Sequence, residues 1–489
     1  MTGGWMNEFK TAILKIHVCT NFLSDTNFKP VMGLWDGTMI VAGSMIGSAI
    51  FIVSADIARN VGSSGWLIAV WAITGFMTIT AAVSYGELSG MFPKAGGQYV
   101  YLKEAYNPLI AFLYGWSLFA VIQTGTIAAV GVGFSKFMSY LVPGVAEDLV
   151  LVQIGSYAIS PGQALSIVII VLLTYINTRG VEGGKIIQNT FTVTKILSLF
   201  GLILFGWMMA NGEVWRANWA DAWSMHKLTS DGSIGDYTLV AALGAVAAAM
   251  VGSIFSSDCW NSVTFIGGEM KNPQRNIGLS LFLGTAIVTV IYVAVNLMFI
   301  SVLPLKEIAF ADQDRVAVAA SQVILGNVGS IVISLMLMIS AFGCCNGLIL
   351  SGARVYFTMA RDGVFFKSAG ELNRFTVPQS ALWVQCVLAS AWCLSGKYGE
   401  LLDMVSFVVV LFYVLTIAGI FILRKQRPEA QRPYRAFGYP VLPIIYILMG
   451  VTFCALLIVY KPRFTWPGLI ITLIGIPIYF LAIKRGKKV

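Results

Sequence analysis

The sequence predicts an all-α polytopic membrane protein of about twelve transmembrane helices. Of its 489 residues, 57% are apolar and only 11% are charged, where an ordinary soluble domain carries about 25% charged residues. Apolar runs of about twenty residues recur from Val31 to Ile483, and each can cross a hydrocarbon core of about 30 Å as a helix. Unbroken stretches such as Ile167 to Leu173 and Leu279 to Ile300 lack the two-residue alternation of an outer-membrane barrel, which excludes that architecture.

A tail over residues 1–30 comes first, with no apolar signal segment ending in small residues. It reads as a cytoplasmic extension or an interfacial amphipathic helix. Candidate spans then cover 31–57, 64–92, 106–140, 161–179, 188–210, 238–266, 276–303, 323–358, 378–396, 401–423, 440–460 and 466–483. One connection, 211–237, is long and polar, and it lies between the fifth and sixth spans. This predicts a first five-helix repeat over 31–210, an extracytoplasmic loop over 211–237, a second five-helix repeat over 238–423, and two further helices with a basic tail over 424–489.

The 32 Lys and Arg exceed the 23 Asp and Glu, giving a formal charge of +9. In a soluble protein this would suggest nucleic acid. Here the basic residues fall on one set of alternating loops, including Lys10, Lys15, Lys29, Lys94, Lys103, Arg179, Lys271, Arg354, Arg361, Arg424, Arg435 and Lys484. The opposite loops hold Arg59, Arg216, Lys227, Lys306, Arg315, Lys397, Lys461 and Arg463. By the positive-inside rule both termini are cytoplasmic, in a plasma membrane or a bacterial inner membrane, and no nucleic-acid partner is expected. Cys259, Cys344, Cys345, Cys386, Cys393 and Cys454 sit in apolar spans without metal-ligand spacing, and His17 and His226 lie far apart. Neither a metal site nor a cofactor is expected.

Two spans interrupt their apolar pattern in corresponding places: the first at Gly43-Ser44-Met45-Ile46-Gly47-Ser48-Ala49, the sixth at Gly252-Ser253-Ile254-Phe255-Ser256-Ser257-Asp258. One such segment is most simply a close-packing stripe. A matched pair points to broken helices in a 5+5 inverted-repeat transporter. An unwound turn at membrane depth exposes amides and carbonyls that need partners. A zwitterion supplies both, its carboxylate for the amides at a half-helix N-terminus and its ammonium for free carbonyls.

These residues resemble the amino acid, polyamine and organocation (APC) transporter superfamily, and within it the L-type amino acid transporter branch. GSMIGSAIF from Gly43 is similar to the first-helix signature, and FSSDCWNSVTFIGGEMKNPQRNI from Phe255 to the sixth helix and its following loop. FPKAGGQYVYLKEAY from Phe92, QNTFTVTKILSL from Gln188, FGCCNGLILSGARVYFTMARDG from Phe342 and RPEAQRPYRAFGYPVLP from Arg427 follow in the expected order.

The resemblance implies a substrate pocket between the first and sixth helices. Gly47, Ser48 and Ala49 match the turn whose amides take the carboxylate, and Met45 and Ile46 match the carbonyl side near the ammonium. Phe255 matches an aromatic gate, with an ordinary core Phe as the plainer alternative. Asp258 and Asn261 flank Trp260 at the second break, and an ionisable Asp258 at membrane depth is a functional candidate in its own right. Ala49 replaces the usual third glycine, so its methyl either narrows the pocket toward small substrates or is absorbed by a minor backbone shift. The loop from Leu141 to Ser160 has no cysteine, so no disulfide-linked heavy chain is expected, and an autonomous, prokaryotic carrier fits better.

Lys195 sits in the fifth span, in TVTKIL, with no opposite charge near it in sequence. The resemblance puts it where sodium-driven relatives of the fold hold a cation, linking the first helix near Gly43 with the eighth. This implies sodium-independent transport, and exchange of small or neutral L-amino acids by alternating access is the leading reading. A proton-coupled symporter or a carrier of cationic amino acids or polyamines remains open, with Asp258 as its candidate carboxylate. A membrane enzyme is remote, because the chain has no nucleophile elbow and no phosphate-binding loop. Asp36 and Glu87 read as solvated helix-end groups ahead of gate contacts. Glu269, Lys271 and Arg275 read as a salt-linked inner gate whose surface pairs contribute little.

Overall fold

The computed structural model describes residues 30, 32–93, 96–146, 148–154, 157–180, 182–231, 234–395 and 398–486. Apart from Pro30, the tail expected over 1–30 lies outside them. Eight of the described helices are long and apolar enough to cross a membrane: Ser64–Met91, Pro108–Leu141, Thr190–Met208, Leu239–Ser256, Pro273–Val302, Val316–Arg361, Gly399–Gln426 and Val441–Tyr460. These are spans 2, 3, 5, 6, 7, 8, 10 and 11 in chain order. Three shorter apolar helices, Pro161–Asn177, Gln379–Leu394 and Thr465–Leu481, supply spans 4, 9 and 12. Span 1 is two half-helices, Leu34–Met45 and Val53–Val61, with a three-ten turn over Ala49–Phe51 between them.

Local chemistry sets the helix ends. Span 1 runs past the expected 57 to Val61 and stops at Gly62, whose φ of +67° forms a left-handed cap open to a residue without a Cβ. Span 4 begins with a reciprocal capping box: Gln163 N donates to Ser160 Oγ at 3.1 Å and Ser160 N to Gln163 Oε1 at 2.9 Å. Span 8 begins at Val316, earlier than the expected 323, and Gly326 interrupts it with a φ of +64°.

The polar stretch over 211–237 is more than a loop. It contains the helix Gly212–Ala220 and a two-stranded hairpin, His226–Leu228 paired antiparallel with Ile234–Asp236. Gly65 N donates to Ala222 O at 2.9 Å and Trp66 Nε1 to Trp223 O at 3.0 Å, so the segment is fastened over the junction of spans 1 and 2. A second hairpin, Val152–Ile154 with Tyr157–Ile159, fills the connection between spans 3 and 4.

Span 7 packs along span 2 and along the first half-helix of span 1, while span 8 packs against spans 3 and 5 and span 9 against spans 3 and 4. Small residues allow the closest of these approaches. A Cβ on Gly75 would lie 2.1 Å from Thr289 Cγ2, and one on Gly284 would lie 2.4 Å from Val41 Cγ1, which lets span 7 lie directly on spans 2 and 1. The bundle has one end rich in arginine, holding Arg179, Arg354, Arg424, Arg427 and Arg432, and an opposite end holding Arg59, Lys136, Arg315 and Lys461.

Candidate substrate site

The first break follows Met45. Gly47 N turns back to Met45 O at 2.8 Å, and the three-ten turn starts behind it with Phe51 N on Ser48 O at 3.2 Å and Ile52 N on Ala49 O at 2.9 Å. Among the described residues, the amides of Ser48, Ala49 and Ile50 head this turn with no carbonyl to receive them. The Ser48 hydroxyl is buried there without a partner. Free donors at a helix start attract an anion. Met45 O is already occupied, by the Gly47 amide and by the Tyr292 hydroxyl at 2.9 Å, whereas no donor among the described residues reaches Ile46 O.

The second break starts later than its sequence suggests. Gly252 to Ser256 are still helical, and the chain leaves the helix only at Ser257, resuming at Ser262. The reason is in the packing: a Cβ on Gly252 would come within 2.8 Å of Val53 Cβ, so this glycine serves contact between the second half-helix of span 1 and the helix of span 6 that precedes its break. The reversal falls on Cys259, with φ +64°. Tyr292, on span 7, ties the two breaks together, its hydroxyl lying 2.9 Å from Met45 O and 3.0 Å from Ser256 O.

Asp258 is buried, and its Oδ1 accepts from the Tyr413 hydroxyl at 2.5 Å. Among the described residues no Lys or Arg pairs with it. Asn261 Nδ2 donates to Gln98 Oε1 at 3.1 Å, and Gln98 Nε2 passes the chain on to Thr416 Oγ1 at 3.0 Å. Asp258, Asn261, Gln98, Tyr413 and Tyr114 line a cavity of about 20 Å³, room for about one water. Trp260 packs in a cluster with Tyr85 and the lining residue Tyr413, ring centroids 4.7 and 5.2 Å away. Phe255 is buried two residues before Ser257, where the chain leaves the helix.

Lys195 is buried, and its Nζ donates to Gly43 O at 3.0 Å, on the last turn before the first break. Span 8 meets the same place through Cys344, whose thiol lies 3.5 Å from Ser44 O.

At the arginine-rich end the site is sealed. Glu269 follows the second break and accepts from Arg354 Nη2 at 2.8 Å and Nε at 3.1 Å, with both side chains buried. Met32 N donates to Glu269 O at 3.0 Å, which clamps the start of span 1 against the same segment. Glu87, expected to be a solvated helix-end group, is 1% exposed. It binds Arg424 at 2.7 and 3.0 Å, pairs with Arg432 at 3.3 Å and accepts from Ala436 N at 2.7 Å. The expected inner gate of surface pairs is likewise corrected: the partner of Glu269 is a buried arginine on span 8, not Lys271 or Arg275. Asp36 Oδ2 accepts from Gly33 N at 3.0 Å, a helix-capping contact. At the opposite end a vestibule of about 350 Å³ reaches Ile52, Val53 and Gly252, lined by charged groups that include Asp56, Lys136, Glu400 and Asp403. The two breaks thus lie between a latched, arginine-rich end and a vestibule on the other side.

The amino acid permease family model matches residues 32–481. The chain belongs to this family. The permease is 27% identical to the serine/threonine exchanger SteT of Bacillus subtilis over 94% of this chain and 98% of that protein. It is also 27% identical to the human b(0,+)-type amino acid transporter 1, over 93% of this chain and 88% of that protein. The human large neutral amino acids transporter small subunit 2 is 28% identical over 94% and 82%. The permease is thus a multi-pass amino acid transporter of the APC superfamily, similar to its L-type branch, and not an enzyme.

Tyr292, Gln98, Tyr413 and Arg354 were not singled out by the sequence. Tyr292 stands in an apolar span where tyrosine is ordinary, and Gln98 and Tyr413 reach the site from distant elements. Arg354 had a signal, an arginine five residues after Ile349 in an apolar run, but the positive-inside pattern had absorbed it.

Proposed function

We propose that this permease is a sodium-independent exchanger of small or neutral L-amino acids, working by alternating access in which a bundle of spans 1, 2, 6 and 7 rocks against a scaffold of spans 3, 4, 8 and 9. The observation that carries the reading is the pair of breaks tied by Tyr292, which leaves free amides and the orphaned Ser48 hydroxyl for a carboxylate and the Ile46 carbonyl for an ammonium. Sodium independence rests on Lys195, because an ammonium bound to Gly43 O takes up an acceptor that a metal cation would need. Ala49, buried in the anion turn, favours small substrates, and the serine/threonine exchanger among the relatives is consistent with this. The arginine-rich end is cytoplasmic, as are both termini. With no cysteine between Leu141 and Ser160, the chain acts without a disulfide-linked partner.

A second reading is favoured by one observation. The Asp258 carboxylate lines the cavity, unpaired with any base among the described residues, and could receive the side-chain charge of a cationic amino acid or polyamine, or a coupled proton. Purified protein in liposomes separates these cases. Exchange predicts uptake of labelled serine only into vesicles loaded with unlabelled neutral amino acid, unchanged when sodium is replaced by potassium or when a pH gradient is imposed. Uptake that needed sodium would overturn the reading, uptake driven by the pH gradient into empty vesicles would favour proton symport, and preferred uptake of a cationic amino acid would favour the Asp258 alternative.

A further inference from the structure

On the arginine-rich end, away from the substrate site, spans 4 and 9 enclose a cavity of about 490 Å³ lined by Thr178, Arg179, Asn373, Arg374, Phe375 and Trp383, among others. Its floor is built. Asn373 donates to Thr178 O at 2.8 Å while its own Oδ1 accepts from Phe375 N at 2.9 Å and Val377 N at 3.2 Å, which fixes the connection between spans 8 and 9 on the end of span 4. Thr376 holds a φ of +57° in that turn.

Every charged side chain lining this cavity is positive. Among the described residues neither arginine has a carboxylate partner. Each lies instead on an aromatic ring, Arg179 over Tyr175 at 4.9 Å, with its Nη2 also donating to the Tyr175 hydroxyl, and Arg374 over Phe375 at 4.7 Å, which orients the guanidinium and leaves its other donors for an anion. Below the cavity the two helices present apolar faces outward. On span 4, Tyr175, Leu172 and Val168 are exposed at helical spacing, and on span 9 so are Val387 and Leu394. These residues face acyl chains in a membrane. Indole and phenol rings at this level suit the water–hydrocarbon boundary.

From this arrangement we propose that the groove binds an anionic glycerophospholipid, its phosphate between Arg179 and Arg374 and its acyl chains along the outer faces of spans 4 and 9. The apolar stripes continuing from the basic cavity favour a lipid over a soluble phosphate, which would use the arginines and leave the stripes idle. Because spans 4 and 9 pack against each other and against span 3, a lipid seated here braces the static part of the bundle and stays clear of the broken helices.

The test is native mass spectrometry on delipidated full-length protein titrated with phosphatidylglycerol or with phosphatidylcholine of the same chains. The expected result is one site at least tenfold tighter for phosphatidylglycerol, weakened about tenfold in the Arg179→Gln, Arg374→Gln double variant and unchanged in Lys306→Gln at the opposite end. Equal affinity for the two lipids in the wild type, a result independent of any variant's folding, would overturn the proposal. So would an unaffected double variant, or displacement of phosphatidylglycerol by an equal concentration of inorganic phosphate, which would mark a site for soluble anions.

Discussion

Lys195 and Tyr292 hold the first break by different chemistry. The ammonium brings three donors and a charge to Gly43 O at 3.0 Å, while a tyrosine hydroxyl has one proton to divide between Met45 O and Ser256 O. Lys195→Ala removes a charged donor from a buried carbonyl, a loss of about 1–3 kcal/mol. Transport should fall while the protein still inserts, and apparent affinities on the two membrane faces should change unequally. Kinetics in oriented liposomes against external and internal substrate check this, and unaltered values on both faces would remove the role. Tyr292→Phe keeps the ring against Trp71, at 5.3 Å between centroids, and deletes only the hydroxyl. It should leave the melting temperature within a few degrees and lower the exchange rate, because the spacing of the two breaks is no longer fixed. Only the first of these residues was legible in the sequence. A lysine in an apolar run must be explained by its depth, whereas a tyrosine in the same setting is unremarkable until the carbonyls around it are located.

At the scale of the helix, the two glycine-serine segments divide between the uses weighed for them. In span 1 the backbone leaves the helix inside the motif, over Ile46 to Ser48, and a Cβ on Gly47 would come no closer than 3.4 Å, to Cys344 Sγ. In span 6 the first glycine is a packing residue and the break comes five residues later. Hydropathy registers small residues without saying whether they open a turn or admit a neighbour, so the existence of both breaks was legible but the register of the second was not. Gly252→Ala should therefore act as overpacking, destabilising by about 1–3 kcal/mol as its methyl meets Val53. The melting temperature of the single variant should drop, and adding Val53→Ala should recover most of the loss. A double variant no better than the single one would mean that the span 1–span 6 contact is not what Gly252 serves.

Across the whole molecule, the charges that the sequence assigned to solvated loops turn out to lock one end of the transporter. Positive-inside counting reads arginines as a set and is blind to which of them turn inward, and so Arg354 and the partners of Glu87 were not anticipated. Glu269 is the most informative of these groups because it binds a span 8 arginine through its side chain and the start of span 1 through its backbone, so it joins the two broken helices, which the proposed cycle moves, to span 8. Removing the arginine would strand a buried carboxylate and threaten the fold, at about 3–5 kcal/mol. Glu269→Gln instead keeps the shape and one acceptor while cancelling the charge pairing. If the latch loses about 1.4 kcal/mol, the population open at the arginine-rich end rises about tenfold. Cys259 reports this directly, because it lines the cavity at the second break. With the other cysteines replaced, a membrane-impermeant thiol reagent applied from the arginine-rich side should label Cys259 about tenfold faster in Glu269→Gln than in the parent, and saturating serine should change the two rates by different factors. The same reagent applied from the vestibule side should react more slowly in the variant, since the two openings exclude each other. Equal labelling rates from both sides in parent and variant would show that this ion pair stabilises the fold without biasing the transport cycle.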